Sequence, residues 1–64
     1  MNEEMQNQEL NKFNIEEFSR VQRYMELAEA ETPLYDELKT RYIELKVILI
    51  SSGINLEQLD RIKL

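Results

Sequence analysis

The side chains that most often do chemistry are scarce in this sequence. It has no Cys and no His, so it offers no thiol nucleophile, no imidazole base, no disulfide framework and no usual zinc site. Ser19, Ser51 and Ser52 could be activated only by a carboxylate or a lysine, which makes a hydrolase a weak reading. Carboxylates occur in pairs at Glu3-Glu4 and Glu16-Glu17. Adjacent helical residues diverge by about 100°, so neither pair shares a site, and a solvated helix face accounts for them. Asp36 and Asp60 stand far apart and match no calcium-loop spacing. A single Gly excludes a glycine-rich phosphate cradle. The expectation is a protein with no catalytic residues, no metal site and no cofactor, and so not an enzyme.

With chemistry set aside, what remains is the architecture. The chain has 64 residues, one domain at most, with 13 acidic and 8 basic residues and a net charge of −5. Apolar residues make up 42% and charged residues 33%, which is not the profile of a disordered chain. Acidity is concentrated early: residues 1–31 carry eight acidic and three basic side chains, residues 32–64 five of each. The start, MNEEMQNQEL, is polar and acidic where a secretory signal needs a basic start and an apolar run. The longest apolar run, Val47 to Ile50, is far short of the ~20 residues that span a bilayer. A cytoplasmic protein, of a bacterial or host cell, with no membrane partner is the expectation.

Periodicity predicts an all-α fold with helices near 14–31, 33–52 and 55–63. Residues 1–13, with scattered Met1, Met5, Leu10 and Phe13, read as a flexible or weakly helical acidic arm. Asn14 and Glu17 have the spacing of a capping box, and Phe13 and Phe18 that of a hydrophobic staple. Phe18, Val21 and Met25 then form an apolar stripe. Thr32-Pro33 ends the first helix and starts the second, with Thr32 as N-cap and Pro33 at the first helical position. So short a link predicts an antiparallel hairpin or a sharply kinked rod. In the second helix Leu38, Tyr42, Leu45 and Leu49 alternate spacings of 3 and 4, a heptad seam. The expected core pairs this seam with Phe18, Val21 and Met25. Gly53 ends the second helix at the C′ position, and Asn55, with Gln58 three residues on, starts a short third one.

A second stripe, Ile43, Val47 and Ile50, occupies a different face of the second helix. A chain this short buries only ~60% of its unfolded surface, and one hairpin partner plus a seven-residue helix is little to cover two stripes. The sequence therefore predicts a helical-bundle homo-oligomer, a homodimer or higher, joined through Ile43, Val47, Ile50, Leu59 and Ile62. The functional expectation is a small acidic protein–protein interaction module: a regulator, an inhibitor or adaptor, or a subunit of a larger assembly, in the manner of phage and bacterial accessory proteins. Glu16, Glu26, Glu29 and Glu31 form the candidate partner face, suited to a basic protein surface. The alternatives are nucleic-acid related. The second and third helices outline a helix-turn-helix, although Arg61 and Lys63 are opposed by Glu57 and Asp60 and net −5 repels phosphate. Conversely, the acidic first helix could occupy a nucleic-acid-binding protein as a mimic, although Arg20 and Arg23 interrupt its charge.

Overall fold

The computed structural model describes residues 3–64, with side chains from Gln8 onward. It is all-helical: α1 runs from Glu3 to Leu27 and α2 from Pro33 to Ser51, and no strand occurs among the described residues. Phe18 stacks on Tyr42, with ring centroids 5.2 Å apart and planes at 16°. Tyr24, Leu27 and Ala28 line one cleft with Leu34 and Leu38. Residues later in α1 thus meet residues earlier in α2, the order an antiparallel hairpin produces. Its core is Phe18, Val21, Met25, Tyr42, Leu45, Leu49 and Leu56, with Ile15, Tyr35, Leu38, Ile54, Leu59 and Ile62 packed around it. No helix among the described residues is long and apolar enough to cross a membrane.

The turn between the helices follows from local chemistry. Thr32 caps α2 from an extended conformation: its Oγ1 accepts from the Tyr35 amide at 3.2 Å and donates to the Glu29 carbonyl at 2.8 Å. Pro33 takes the first helical position, where its missing N–H is no loss. Helix α1 stops at Leu27, four residues before the expected 31. Its last turn holds no base, and Glu29 and Glu31 would stand at the negative end of the helix dipole. The chain instead turns through Glu31, at φ 64°. At the far end of α2, Gly53 adopts φ 80°. The Ile54 amide donates to the Leu49 carbonyl and the Gly53 amide to that of Ile50, both at 3.0 Å. This is a Schellman closure, with Ile54 laid back on the core.

Two expectations need correction. The first concerns the start of α1, which is helical from Glu3 without a break at Asn14; residues 1–2 of the expected arm lie outside the described residues. Asn14 is a buried mid-helix residue and no cap. It precedes Phe18, Val21 and Met25 by 4, 7 and 11 residues, the register of the inner face. Glu17 pairs with Arg20 rather than completing a capping box. Phe13 is 56% exposed while Phe18 is fully buried under Tyr42, so the two form no staple. Segment 3–13 is rich in good helix formers, and extending a helix already nucleated is easier than starting one.

The second correction concerns residues 55–63, which form no third helix. Asn55 Oδ1 accepts from the Glu57 amide at 2.8 Å, and the Leu59 and Asp60 amides donate to the Leu56 carbonyl at 3.0 and 2.8 Å. That single turn ends there, and residues 60–64 run on without regular structure. A helix this short has little intrinsic stability, and side chains of the hairpin supply better partners for this backbone.

Candidate functional site

Those partners come from two buried residues on the inner faces of the hairpin. Gln22, fully buried, donates from Nε2 to the Leu59 carbonyl at 2.9 Å. Its Oε1 accepts from the amides of Arg61 at 2.6 Å and Ile62 at 3.1 Å. Tyr42 donates its hydroxyl to Asp60 Oδ1 at 2.7 Å and accepts from the Leu64 amide at 3.1 Å. Lys46 forms an ion pair with Asp60 Oδ2 at 3.0 Å and donates to Leu64 O at 2.6 Å. Arg61 reaches from this strap, residues 54–64, to the Ser19 carbonyl at 3.2 Å and to Glu26 at 3.4 Å. Among the described residues no buried side-chain nitrogen or oxygen lacks a partner. A fully satisfied network of this kind selects one conformation for the strap.

Two charges in the network are tuned by it. Burial pushes the Asp60 carboxyl up, but hydrogen bonds from the Tyr42 hydroxyl, the Lys63 amide and Lys46 outweigh that and hold it below its ordinary 3.8. The hydrogen bond to Asp60, helped by Tyr42, holds Lys46 above 10.5 against partial desolvation. Each of these groups is bonded to another part of the chain. Ser19 is exposed on α1 with its carbonyl taken by Arg61, and Ser51 and Ser52 end α2 in solvent. Among the described residues no cluster of three or more carboxylates could hold a metal ion.

The residues expected to join copies of the chain divide into two groups. Ile43, Val47 and Ile50 are 46%, 58% and 57% exposed on the outer side of α2. Leu59 and Ile62 lie elsewhere, half-buried against the intrachain core beneath the strap. Gly53 does turn the chain back, but the Gln22 bonds hold it in the groove between the helices. Of the seam residues, Phe18, Val21, Met25, Tyr42, Leu45 and Leu49 are buried, and Leu38 is half-buried at the edge. The candidate partner face is also divided. Glu26 is turned to Arg61, whereas Glu16 is exposed on α1 and Glu29 and Glu31 are exposed in the interhelical loop.

Sequence reasoning passed over Gln22, the Tyr42–Asp60–Lys46 group and the cleft at the hairpin tip. Gln22 left a signal: it follows Phe18 by four and precedes Met25 by three, a polar residue in a core register. Comparison with known protein families, characterised proteins and solved structures gives no match to this chain.

Proposed function

We propose that this chain is a small helical protein–protein interaction module that self-associates through α2, acting in a cytoplasm as a regulator, an inhibitor or adaptor, or a subunit of a larger assembly, rather than as an enzyme. The observation that carries this reading is the exposed stripe Ile43, Val47 and Ile50. Its spacing of i, i+4, i+7 puts three large aliphatic side chains on one helical face, and the strap does not bury them. Contiguous apolar surface of this kind marks a site of association. A second copy is the occupant that fits, because a two-fold contact lays the stripe on itself. Lys39 lies four residues before Ile43, Lys46 three after it and Glu44 three before Val47, so charges of both signs border the stripe.

The helix-turn-helix alternative needs a recognition helix after Gly53, and residues 54–64 form none. The acidic-mimic alternative needs a row of free carboxylates on α1, but Glu17 and Glu26 are paired with Arg20 and Arg61. Self-association is tested by light scattering across a concentration series on the full chain and on Val47→Glu. The parent should exceed its monomer mass of 7.7 kDa at micromolar concentration, and the variant should return to it with unchanged helicity. A parent that stays at monomer mass at high micromolar concentration overturns the reading.

A further inference from the structure

At the tip of the hairpin, Tyr24 and Leu27 of α1, Ala28 just after it, and Leu34 and Leu38 of α2 line an open cleft of about 250 Å3. Leu27 is 78% exposed and Leu34 63%. The volume falls below the roughly 300–1,000 Å3 typical of small-molecule sites and suits one or two aliphatic side chains. This cleft is separate from the self-association stripe. Leu34 and Ile43 are nine residues apart, which turns the helix through about two and a half turns, so they point to opposite sides of α2.

The charge around the cleft is concentrated. Residues 26–37 contain five carboxylates, Glu26, Glu29, Glu31, Asp36 and Glu37, and no Lys or Arg. That equals the chain's entire net charge of −5, and the remainder holds eight residues of each sign. Glu26 is engaged by Arg61. Glu29, Glu31, Asp36 and Glu37 are exposed and have no ion-pair partner among the described residues. A second copy suits this site poorly, because two tips brought together would set these carboxylates against their own counterparts.

We propose that the tip cleft receives a large aliphatic side chain from a Lys/Arg-rich segment of another protein, whose flanking bases pair with Glu29, Glu31 and Glu37. This deepens the reading of the chain as an interaction module by assigning its partner a chemistry. The buried aliphatic anchor supplies affinity. The carboxylates speed encounter and reject acidic competitors.

The test uses three labelled synthetic peptides titrated into the full chain: a Lys-rich peptide with Leu anchors, the same peptide with Ser for Leu, and the same with Glu for Lys. Fluorescence anisotropy reads affinity and amide chemical shifts read location. The Leu–Lys peptide should bind, more weakly as salt rises, and should shift amides between Tyr24 and Leu38. Both controls, and the Leu27→Ser and Leu34→Ser variants of the protein, should bind at least about tenfold more weakly, while Val47→Glu binds as the parent does. Because Leu27 and Leu34 are exposed, both variants should keep the parent's circular dichroism. Equal binding of the Ser control, shifts centred on Ile43 to Ile50, or no binding at millimolar peptide overturns the proposal. A chain that self-associates but ignores the peptide loses this proposal alone. A monomer that binds it at the tip loses only the self-association reading.

Discussion

The seam between α1 and α2 and the strap across it are held by different forces. The seam is apolar: Phe18, Val21 and Met25 against Tyr42, Leu45 and Leu49, with burial doing the work. The strap contributes Leu56 to the core and lays Ile54, Leu59 and Ile62 against it, yet its path from residue 59 onward is set by polar side chains of the hairpin. Burial is non-directional and tolerates small shifts, whereas hydrogen bonds fix which atom meets which. The hairpin should therefore hold its fold after the strap is loosened, while the strap should have no fold without the hairpin.

The largest effect tests the seam. Leu45→Ala removes a fully buried side chain and should cost about 2–5 kcal/mol, a large share of the stability of so small a domain. Urea unfolding followed by circular dichroism measures it. A variant whose urea midpoint matches the parent's would show that burial at Leu45 is not what joins the helices.

A smaller and more local effect should follow Gln22→Leu. The substitution leaves the Leu59 carbonyl and the Arg61 and Ile62 amides without their partner, at about 1–3 kcal/mol for a buried group left unpaired. The strap can relieve that penalty by moving into water. Amide exchange at Arg61 and Ile62 should therefore accelerate by at least about tenfold, while exchange in the middle of α1 and α2 changes less. Uniform acceleration along the chain would erase the distinction between seam and strap.

The smallest effect is a pH dependence. Asp60 is held below its ordinary 3.8, so its contribution is present above that value and lost as pH falls through the folded-state value beneath it. Lys46 is held above 10.5, so its contribution is present below 10.5 and lost as pH rises through the folded-state value. Between those limits the Tyr42–Asp60–Lys46 group is intact. The stability difference between parent and Asp60→Asn should accordingly shrink as pH falls from about 5 to 3, whatever the other carboxylates do in both proteins. A difference that stays constant across that range would mean that folding does not shift the Asp60 titration, so that the network does not favour its charged form.

The sequence was legible wherever a feature depends on residues near one another in the chain. Thr32-Pro33 reads as a stop and a start because proline restricts its neighbour and threonine caps, and the structure turns there. Gly53 reads as a helix end because glycine, lacking a Cβ, takes a positive φ at no steric cost. The same local signals misled at Asn14 and Asn55. An Asn three residues before a Glu or Gln has the capping spacing whether the chain enters a helix there, continues one or makes a single turn. At Asn14 the surrounding helix formers decided for continuation. At Asn55 the residues that decided were Gln22 and Tyr42, 33 and 13 positions away in the chain.

By itself, then, the sequence determined the helical class, the position of the hairpin turn and the register of the apolar seam, because period, capping and proline chemistry act over a turn or two of helix. The tertiary structure decided what the strap becomes, which carboxylates are already spoken for, and where apolar surface is left over. Arg61 takes Glu26, Asp60 takes Tyr42 and Lys46, and Leu59 and Ile62 leave the α2 stripe for the groove. Each of these pairings spans 14 or more residues. No local rule specifies such a pairing, because side chains that distant meet only after the two helices have packed.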